Sequence, residues 1–154
     1  MELNKINSLV ELFFKKYNEN NSTYNKPFLK WLKINKNDFL TWGQAERTIL
    51  VLSEYLRKDL SKGDRCVLLS ENRPEWLITD IAIMNAGGVT VPLFTTYSEK
   101  DYGYIINDCK PKICIVSNEI QFKKIEKFIS NETRVLSIEN FNEKIESIEN
   151  IFEK

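Results

Sequence analysis

Four short apolar runs, separated by amphipathic stretches, constrain the fold of this sequence more than any other feature. Each run suits a buried strand, and the stretches between them place apolar residues three and four positions apart, as a helix does. Strands and helices that alternate through short connections imply right-handed crossovers. They therefore predict an α/β fold with a mostly parallel, doubly wound sheet and helices on both faces. The predicted strands are Arg65–Leu69, Val89–Leu93, Lys112–Val116 and Arg134–Ile138.

The helices between these strands have recognisable start signals. Thr41 precedes an amphipathic stretch and Gln44 follows three residues later, which is the spacing of a capping box. Pro74 suits the first turn of the next helix. Ser98 can cap a third helix, with Asp101 three residues later. The predicted helices span 41–60, 74–86, 98–109, 119–129 and 142–152.

The first 40 residues follow a different pattern. Val10, Phe13 and Phe14 lie at helical spacing, and farther on the turn-forming residues 35–38 separate two extended stretches, which predicts a hairpin. The predicted elements are a helix over 8–18 and extended stretches over 28–34 and 39–40. We expect a single N-terminal subdomain over 1–154, with the helix and hairpin in 1–40 and the alternating layers in 41–154.

The helix predicted after Pro74 is apolar on nearly every face, particularly over Trp76–Met84. A helix of this kind is buried on more than one side, and a sheet covers only one of them. We therefore expect another body to cover the rest, namely the remainder of a larger polypeptide or a partner.

Charge and composition exclude several functional classes. Lysine plus arginine and aspartate plus glutamate each total 22, and histidine is absent. The neutral balance argues against a nucleic-acid binder, which needs a clustered basic excess. The lack of histidine excludes imidazole bases and histidine-ligated metals within this chain. The three cysteines form no Cys-x-x-Cys pair, and Cys66 and Cys114 are expected to be buried free thiols, which suits a reducing cytoplasm.

Candidate ligand-binding loops lie at the carboxyl ends of the predicted strands, where doubly wound sheets bind ligands. Ser70–Arg73 follows the first strand and Phe94–Tyr97 follows the second. Arg73 has two interpretations: it holds an anion together with free helix amides, or it pairs with a nearby carboxylate. The dinucleotide-binding, Walker and nucleophile-elbow motifs are all absent, so no catalytic, cofactor-binding or metal-binding residue is assigned. Other acidic residues are interpreted as solvated surface: Asp101, Asp108, Glu143, Glu146 and Glu149.

Four motifs in register resemble one family of enzymes. They are Thr41–Gln44 (TWGQ), Lys62–Trp76 (KGDRCVLLSENRPEW), Ala86–Leu93 (AGGVTVPL) and Tyr104–Asp108 (YIIND). In order and spacing they resemble the N-terminal part of the AMP-forming acyl-CoA synthetases, within the adenylate-forming superfamily. The sequence of the second motif is most similar to the corresponding segment of the long-chain fatty acid–CoA ligases. The resemblance is clear over residues 28–117.

The resemblance implies a two-step reaction in the complete enzyme. A fatty acid carboxylate attacks the α-phosphate of ATP to give an acyl-adenylate and pyrophosphate, and the thiol of CoA then displaces AMP. Magnesium accompanies the ATP and shields its charge. The resemblance also implies a fatty acid substrate and peripheral association of the complete enzyme with membranes.

The catalytic segments of that family are missing from this sequence. They are its Ser/Thr/Gly-rich phosphate loop, its Tyr-Gly-x-Thr-Glu segment, a ribose-binding aspartate and a C-terminal lysine. We therefore expect an N-terminal ligase fragment that is inactive alone, that binds ATP, Mg²⁺ and CoA at most weakly, and that packs against the remaining synthetase chain around Trp76–Met84. The alternative is a free-standing α/β binding or interaction module without catalysis.

Overall fold

Seven strands and six helices are present in the part of the chain that the computed structural model describes, residues 6–18, 23–33 and 36–152. The helices are α1 (Leu9–Asn18), α2 (Trp42–Leu56), α3 (Pro74–Asn85), α4 (Glu99–Cys109), α5 (Glu119–Ile125) and α6 (Glu149–Phe152). The strands are β1 (Pro27–Lys33), β2 (Lys36–Thr41), β3 (Arg65–Leu69), β4 (Val89–Leu93), β5 (Ile113–Val116), β6 (Arg134–Ser137) and β7 (Glu146–Ser147). None of these helices has both the length and the hydropathy that crossing a membrane requires.

Strands β3 to β7 form one sheet in the order β4-β3-β5-β6-β7, and every neighbouring pair is parallel. The chain passes from β3 to β4 on one side and then returns across β3 to β5 on the other. The direction of winding therefore reverses between β3 and β5, as in a doubly wound fold. This topology confirms the predicted α/β class, and β1 and β2 form the predicted antiparallel hairpin.

The interior consists of two apolar layers, one on each face of the sheet. Side chains alternate along a strand, so Cys66 and Leu68 of β3 face α2 and α3, whereas Val67 and Leu69 face α4 and α5. All four residues of β5 are also buried. Burial on both faces explains why these strands are continuous apolar runs rather than alternating patterns.

Helix α3 is covered mainly by this chain itself, which corrects the prediction that absent sequence must cover it. Ile81 and Ile83 are 3% and 0% exposed, because α1 and α2 pack against α3 in the apolar layer on one face of the sheet. The hydroxyl of Ser53 on α2 lies 3.2 Å from the carbonyl oxygen of Ala82, which brings the two helices close together. Partly exposed apolar side chains remain at both ends of α3, namely Trp76 and Leu77 at its N-terminal end and Met84 near its C-terminal end.

The capping predictions are confirmed, although two helices are shorter than expected. Thr41 and Gln44 form a complete capping box at the start of α2, and Ser98 and Asp101 form one at the start of α4. Helix α2 ends at Leu56 instead of residue 60. The predicted helix over 119–129 divides into α5 and a 3₁₀ turn over 126–128. A 3₁₀ turn is a common way to tighten the end of an α-helix.

Strand β2 begins earlier than the sequence predicts. Residues 36–38 were expected in a turn but belong to β2, where Lys36 pairs with Lys33 and Asp38 pairs with Trp31. The remaining predicted turn residue, Asn35, lies outside the described residues. Turn-forming residues also occur at strand ends, so their composition alone does not fix where a hairpin turns.

The predicted helix over 142–152 is wrong. Strand β7 pairs with the outer edge of β6, and only the single turn α6 follows it. Ile145 and Ile148 have helical spacing, but pairing with β6 satisfies backbone groups at that edge and buries Ile148 to 2% exposure. Glu146 consequently forms an ion pair with Arg134 of β6 instead of lying on a solvated helix face.

Candidate functional site

The carboxyl ends of β3 and β5 meet where the winding of the sheet reverses, and polar side chains concentrate there. Ser70 and Glu71 follow β3, and Ser117 and Asn118 follow β5. The two ends are joined by a hydrogen bond from the backbone amide of Ser117 to the carbonyl of Leu69, at 3.0 Å. Open α/β sheets bind ligands in the crevice at this position. This carboxyl edge is therefore the candidate functional site.

Glu71 is the carboxylate at the centre of the edge. Its Oε1 accepts hydrogen bonds from Nε2 of Gln121 at 2.6 Å and from Nδ2 of Asn118 at 3.4 Å. Partial burial opposes ionisation, but the interactions with Ser117, Gln121, Asn118 and its own backbone outweigh burial and lower the pKa of Glu71 below its ordinary value. The centre of the edge thus carries a fixed negative charge at neutral pH.

Lys124 and Gln121 of α5 connect Glu71 to the next loop. The ammonium of Lys124 donates to the carbonyl of Thr95 and to Oε1 of Gln121, each at 2.9 Å. Gln121 is only 4% exposed, and Asn118 caps the same helix by accepting from the backbone amide of Gln121 at 3.2 Å. Through these contacts α5 links the β3–α3 loop to the β4–α4 turn.

Arg73 is held by two carboxylates. Its Nε lies 2.9 Å from Oε2 of Glu75, and its Nη1 forms an ion pair with Glu139, which follows β6. Both partners raise the pKa of Arg73, chiefly through the hydrogen bond with Glu75. The sequence left open whether Arg73 binds an anion or pairs with carboxylates, and the structure supports the pairing.

Open cavities lie over this edge. The first has a volume of about 440 Å³, and its lining is mainly apolar. It is lined by Ser70, Glu71, Asn72, Trp76, Pro92, Leu93, Phe94, Thr95 and Thr96. The second, of about 540 Å³, extends past Arg73 to Trp31 of the hairpin. Phe94 is 68% exposed at the mouth of the first cavity, so this mouth presents an aromatic surface to solvent.

A third cavity, of about 430 Å³, lies at the opposite end of the sheet. Arg65, which lines this cavity, donates to the carbonyls of Cys109 and Lys110 at the end of α4, so the guanidinium caps that helix. Asp64 accepts a hydrogen bond from the backbone amide of Ser61. These side chains therefore serve the local structure.

The three cysteines, all among the described residues, lack the activation that a thiol nucleophile needs. Burial raises the pKa of the thiols of Cys66 and Cys109, and it raises the pKa of Cys114 to about 12, so all three remain protonated near neutrality. All three cysteines are free. Among the described residues, no three potential ligands of the His, Cys, Asp and Glu types are grouped to hold a metal.

The described residues do not fit the phosphates of ATP. Arg73 is already paired with Glu75 and Glu139. The ammonium of Lys124 is bonded to Gln121 and to the carbonyl of Thr95, and the anionic Glu71 lies at the same edge. A phosphate there would meet more negative than positive charge. The arrangement is suited to fixing loops in place rather than to holding a nucleotide.

Sequence reasoning located the loops after β3 and β4 but missed Gln121, Lys124 and Glu139. The carboxyl-end rule applies equally to the segments after β5 and β6, and these three residues follow those strands. A signal for these residues of α5 was present in the sequence. Asn118, Gln121 and Lys124 follow one another at intervals of three, so their side chains lie on one face of a helix that starts at the carboxyl end of β5.

The comparisons with known proteins agree with this architecture. The sequence profile of the family described as AMP-binding enzyme matches residues 17–152. The long-chain-fatty-acid–CoA ligase ACSBG1 of Rattus norvegicus is 30% identical over 77 residues, which are 50% of this chain and 11% of that protein. Fatty acyl-CoA synthetase A of Dictyostelium discoideum is 33% identical over 78 residues, which are 51% of this chain and 11% of that protein.

A solved structure extends the likeness to nearly the whole chain. The acetoacetyl-CoA synthetase of Streptomyces lividans superposes with a TM-score of 0.81 at 13% identity, covering 94% of this chain and 25% of that one. This likeness concerns the fold. The matches span about a tenth of the length of these curated relatives and a quarter of the solved chain. Because the family profile covers most of its residues, this chain belongs to the family of AMP-binding enzymes, the AMP-forming acyl-CoA ligases and their relatives.

Proposed function

We propose that this chain is the N-terminal α/β subdomain of a long-chain fatty acid–CoA ligase. The complete enzyme converts a fatty acid, ATP and CoA into acyl-CoA, AMP and diphosphate. The observation that carries the substrate class is the similarity to proteins named as long-chain-fatty-acid–CoA ligases and as a fatty acyl-CoA synthetase. The match of the family profile to residues 17–152 supports the reaction type.

In this proposal the chain supplies a scaffold and leaves the chemistry to other residues. The carboxyl edge has a fixed carboxylate, Glu71, and its Arg73 is paired with two carboxylates, so these charges serve the local structure. The phosphate loop, the ribose-binding aspartate and the catalytic lysine come from elsewhere in the ligase, and so do the groups that bind ATP, Mg²⁺ and CoA. The 154-residue chain alone is therefore inactive.

The remaining synthetase packs at the N-terminal end of α3. Trp76 is partly exposed there, and Phe94 at the neighbouring cavity mouth is 68% exposed. An exposed and a partly exposed aromatic side chain that line one cavity are typical of a surface that becomes buried against another body. We propose that the complete enzyme is cytoplasmic, because the three cysteines of this chain are free. We also propose that it contacts membranes peripherally, which gives it access to a lipid substrate.

The test is acyl-CoA synthesis by the full polypeptide encoded with this segment, supplied with ATP, Mg²⁺, CoA and either palmitate or acetoacetate. We expect palmitoyl-CoA to form faster than acetoacetyl-CoA, and the 154-residue chain alone to form neither. A preference for acetoacetate would refute the long-chain assignment. Absence of both products would favour the alternative, a non-catalytic α/β interaction module, and product from the isolated chain would refute its inactivity.

A further inference from the structure

A continuous polar chain crosses the carboxyl edge from β3 to the β4–α4 turn. We propose that Glu71, Gln121 and Lys124 form a relay with a charge at each end, which holds the β4–α4 turn against α5 and thereby fixes the shape of the 440 Å³ cavity. This inference concerns the folded chain itself and does not depend on the proposed ligase activity.

The turn that the relay holds is one wall of that cavity. Lys124 reaches the carbonyl of Thr95 at 2.9 Å, and Phe94, Thr95 and Thr96 all line the cavity. Lys124 is only partly exposed, so its hydrogen bonds are shielded from competition with water. Displacement of Thr95 would change the width of the cavity mouth directly.

The buried amide of Gln121 can satisfy both ends in only one orientation. Its Nε2 donates to the carboxylate of Glu71 at 2.6 Å, while its Oε1 accepts from the ammonium of Lys124 at 2.9 Å. A carboxylate accepts and an ammonium only donates, so a flipped amide would place donor against donor and acceptor against acceptor. The low pKa of Glu71 keeps its end of the relay charged at neutral pH.

The other contacts of the turn do not replace the relay. The hydroxyl of Tyr102 donates to the carbonyl of Phe94 at 2.8 Å, and the backbone amide of Tyr97 donates to the same carbonyl at 3.2 Å. These bonds hold Phe94 and the inner side of the turn. Thr95 is attached to α5 through Lys124, so loss of the ammonium should loosen the turn locally while the sheet stays intact.

Hydrogen exchange at the backbone amide of Tyr97 measures opening of this turn. We expect Lys124→Met to accelerate that exchange by about five- to tenfold, the factor corresponding to one net hydrogen bond. Lys123→Met is the matched control, because Lys123 lies on the same helix and its ammonium pairs with exposed Glu119 at 3.0 Å. The control should leave exchange at Tyr97 unchanged, and exchange in β5 should be unchanged in both variants.

A second substitution tests whether the three groups act as a unit. Gln121→Met preserves length but breaks the connection, so it should also accelerate exchange at Tyr97. Adding Lys124→Met to it should then produce less than the product of the two separate accelerations. Equal exchange in Lys124→Met and Lys123→Met would overturn the relay, and so would fully multiplicative effects. If Gln121→Met does not fold, the comparison of the two lysine variants still decides.

Discussion

Because this chain's own helices bury α3, truncation of Ile83 should lower the free energy of unfolding substantially. Its side chain is 0% exposed and lies in the layer between the sheet and α2. Ile83→Ala removes three buried carbons, at about 0.8 kcal/mol each. The cavity left behind adds a further penalty, so we expect a loss of about 3–4 kcal/mol in the free energy of unfolding.

Ile120→Ala is the matched control, because the same three carbons are removed from a helix where the side chain is 67% exposed. We expect this change to cost less than about 0.5 kcal/mol. Urea unfolding of the two variants and the parent, followed by far-ultraviolet circular dichroism, measures both values. A cost for Ile83→Ala as small as that for Ile120→Ala would show that α1, α2 and the sheet do not bury α3 in this chain.

Two further predictions concern the C-terminal strand and the packing of α4. Hydrogen bonds with Tyr55 and Arg134 lower the pKa of Glu146, so its contribution is present above its unfolded pKa and disappears as the pH falls through its folded pKa. Glu146→Gln should therefore lower the urea midpoint at pH 7, by an amount worth about 1 kcal/mol or less because the pair is partly exposed. The same substitution should have little effect near pH 3, and an equal effect at both pH values would contradict this assignment. A Cβ on Gly103 would lie 2.8 Å from a ring carbon of Phe128. Gly103→Ala should therefore lower the free energy of unfolding by about 1–3 kcal/mol, despite the better helix propensity of alanine. An unchanged or raised thermal midpoint would contradict this packing of α4 against Phe128.

The features that the sequence predicted well depend on local physics. The apolar residues of Arg65–Leu69 follow one another without polar interruption. Such a run indicates a strand buried on both faces, as in a parallel sheet covered by helices. The capping boxes at Thr41 and Ser98 are formed by residues three positions apart, so they form wherever the helix does. The positions of β3, β4, β5 and β6, the starts of α2 and α4 and the doubly wound architecture were therefore accessible without a structure.

The features that sequence reasoning missed depend on contacts between distant residues. Helical spacing over residues 142–152 predicted a helix, but Glu146–Ser147 pairs with the edge of β6 and forms a strand. The apolar excess of α3 predicted an external partner, because the packing of α2 over it cannot be read from local spacing. The relay from Glu71 to Lys124 joins residues about fifty positions apart, and only the sheet topology brings them together.

The central claim is that this chain forms a supporting layer of a ligase without its adenylating groups. Exchange of labelled pyrophosphate into ATP, measured on the purified and folded 154-residue chain with palmitate and Mg²⁺, isolates the adenylation step from thioester formation. We predict exchange no faster than in a reaction without protein. Palmitate-dependent exchange above that background would contradict the claim, because it would require a complete adenylation site within these residues.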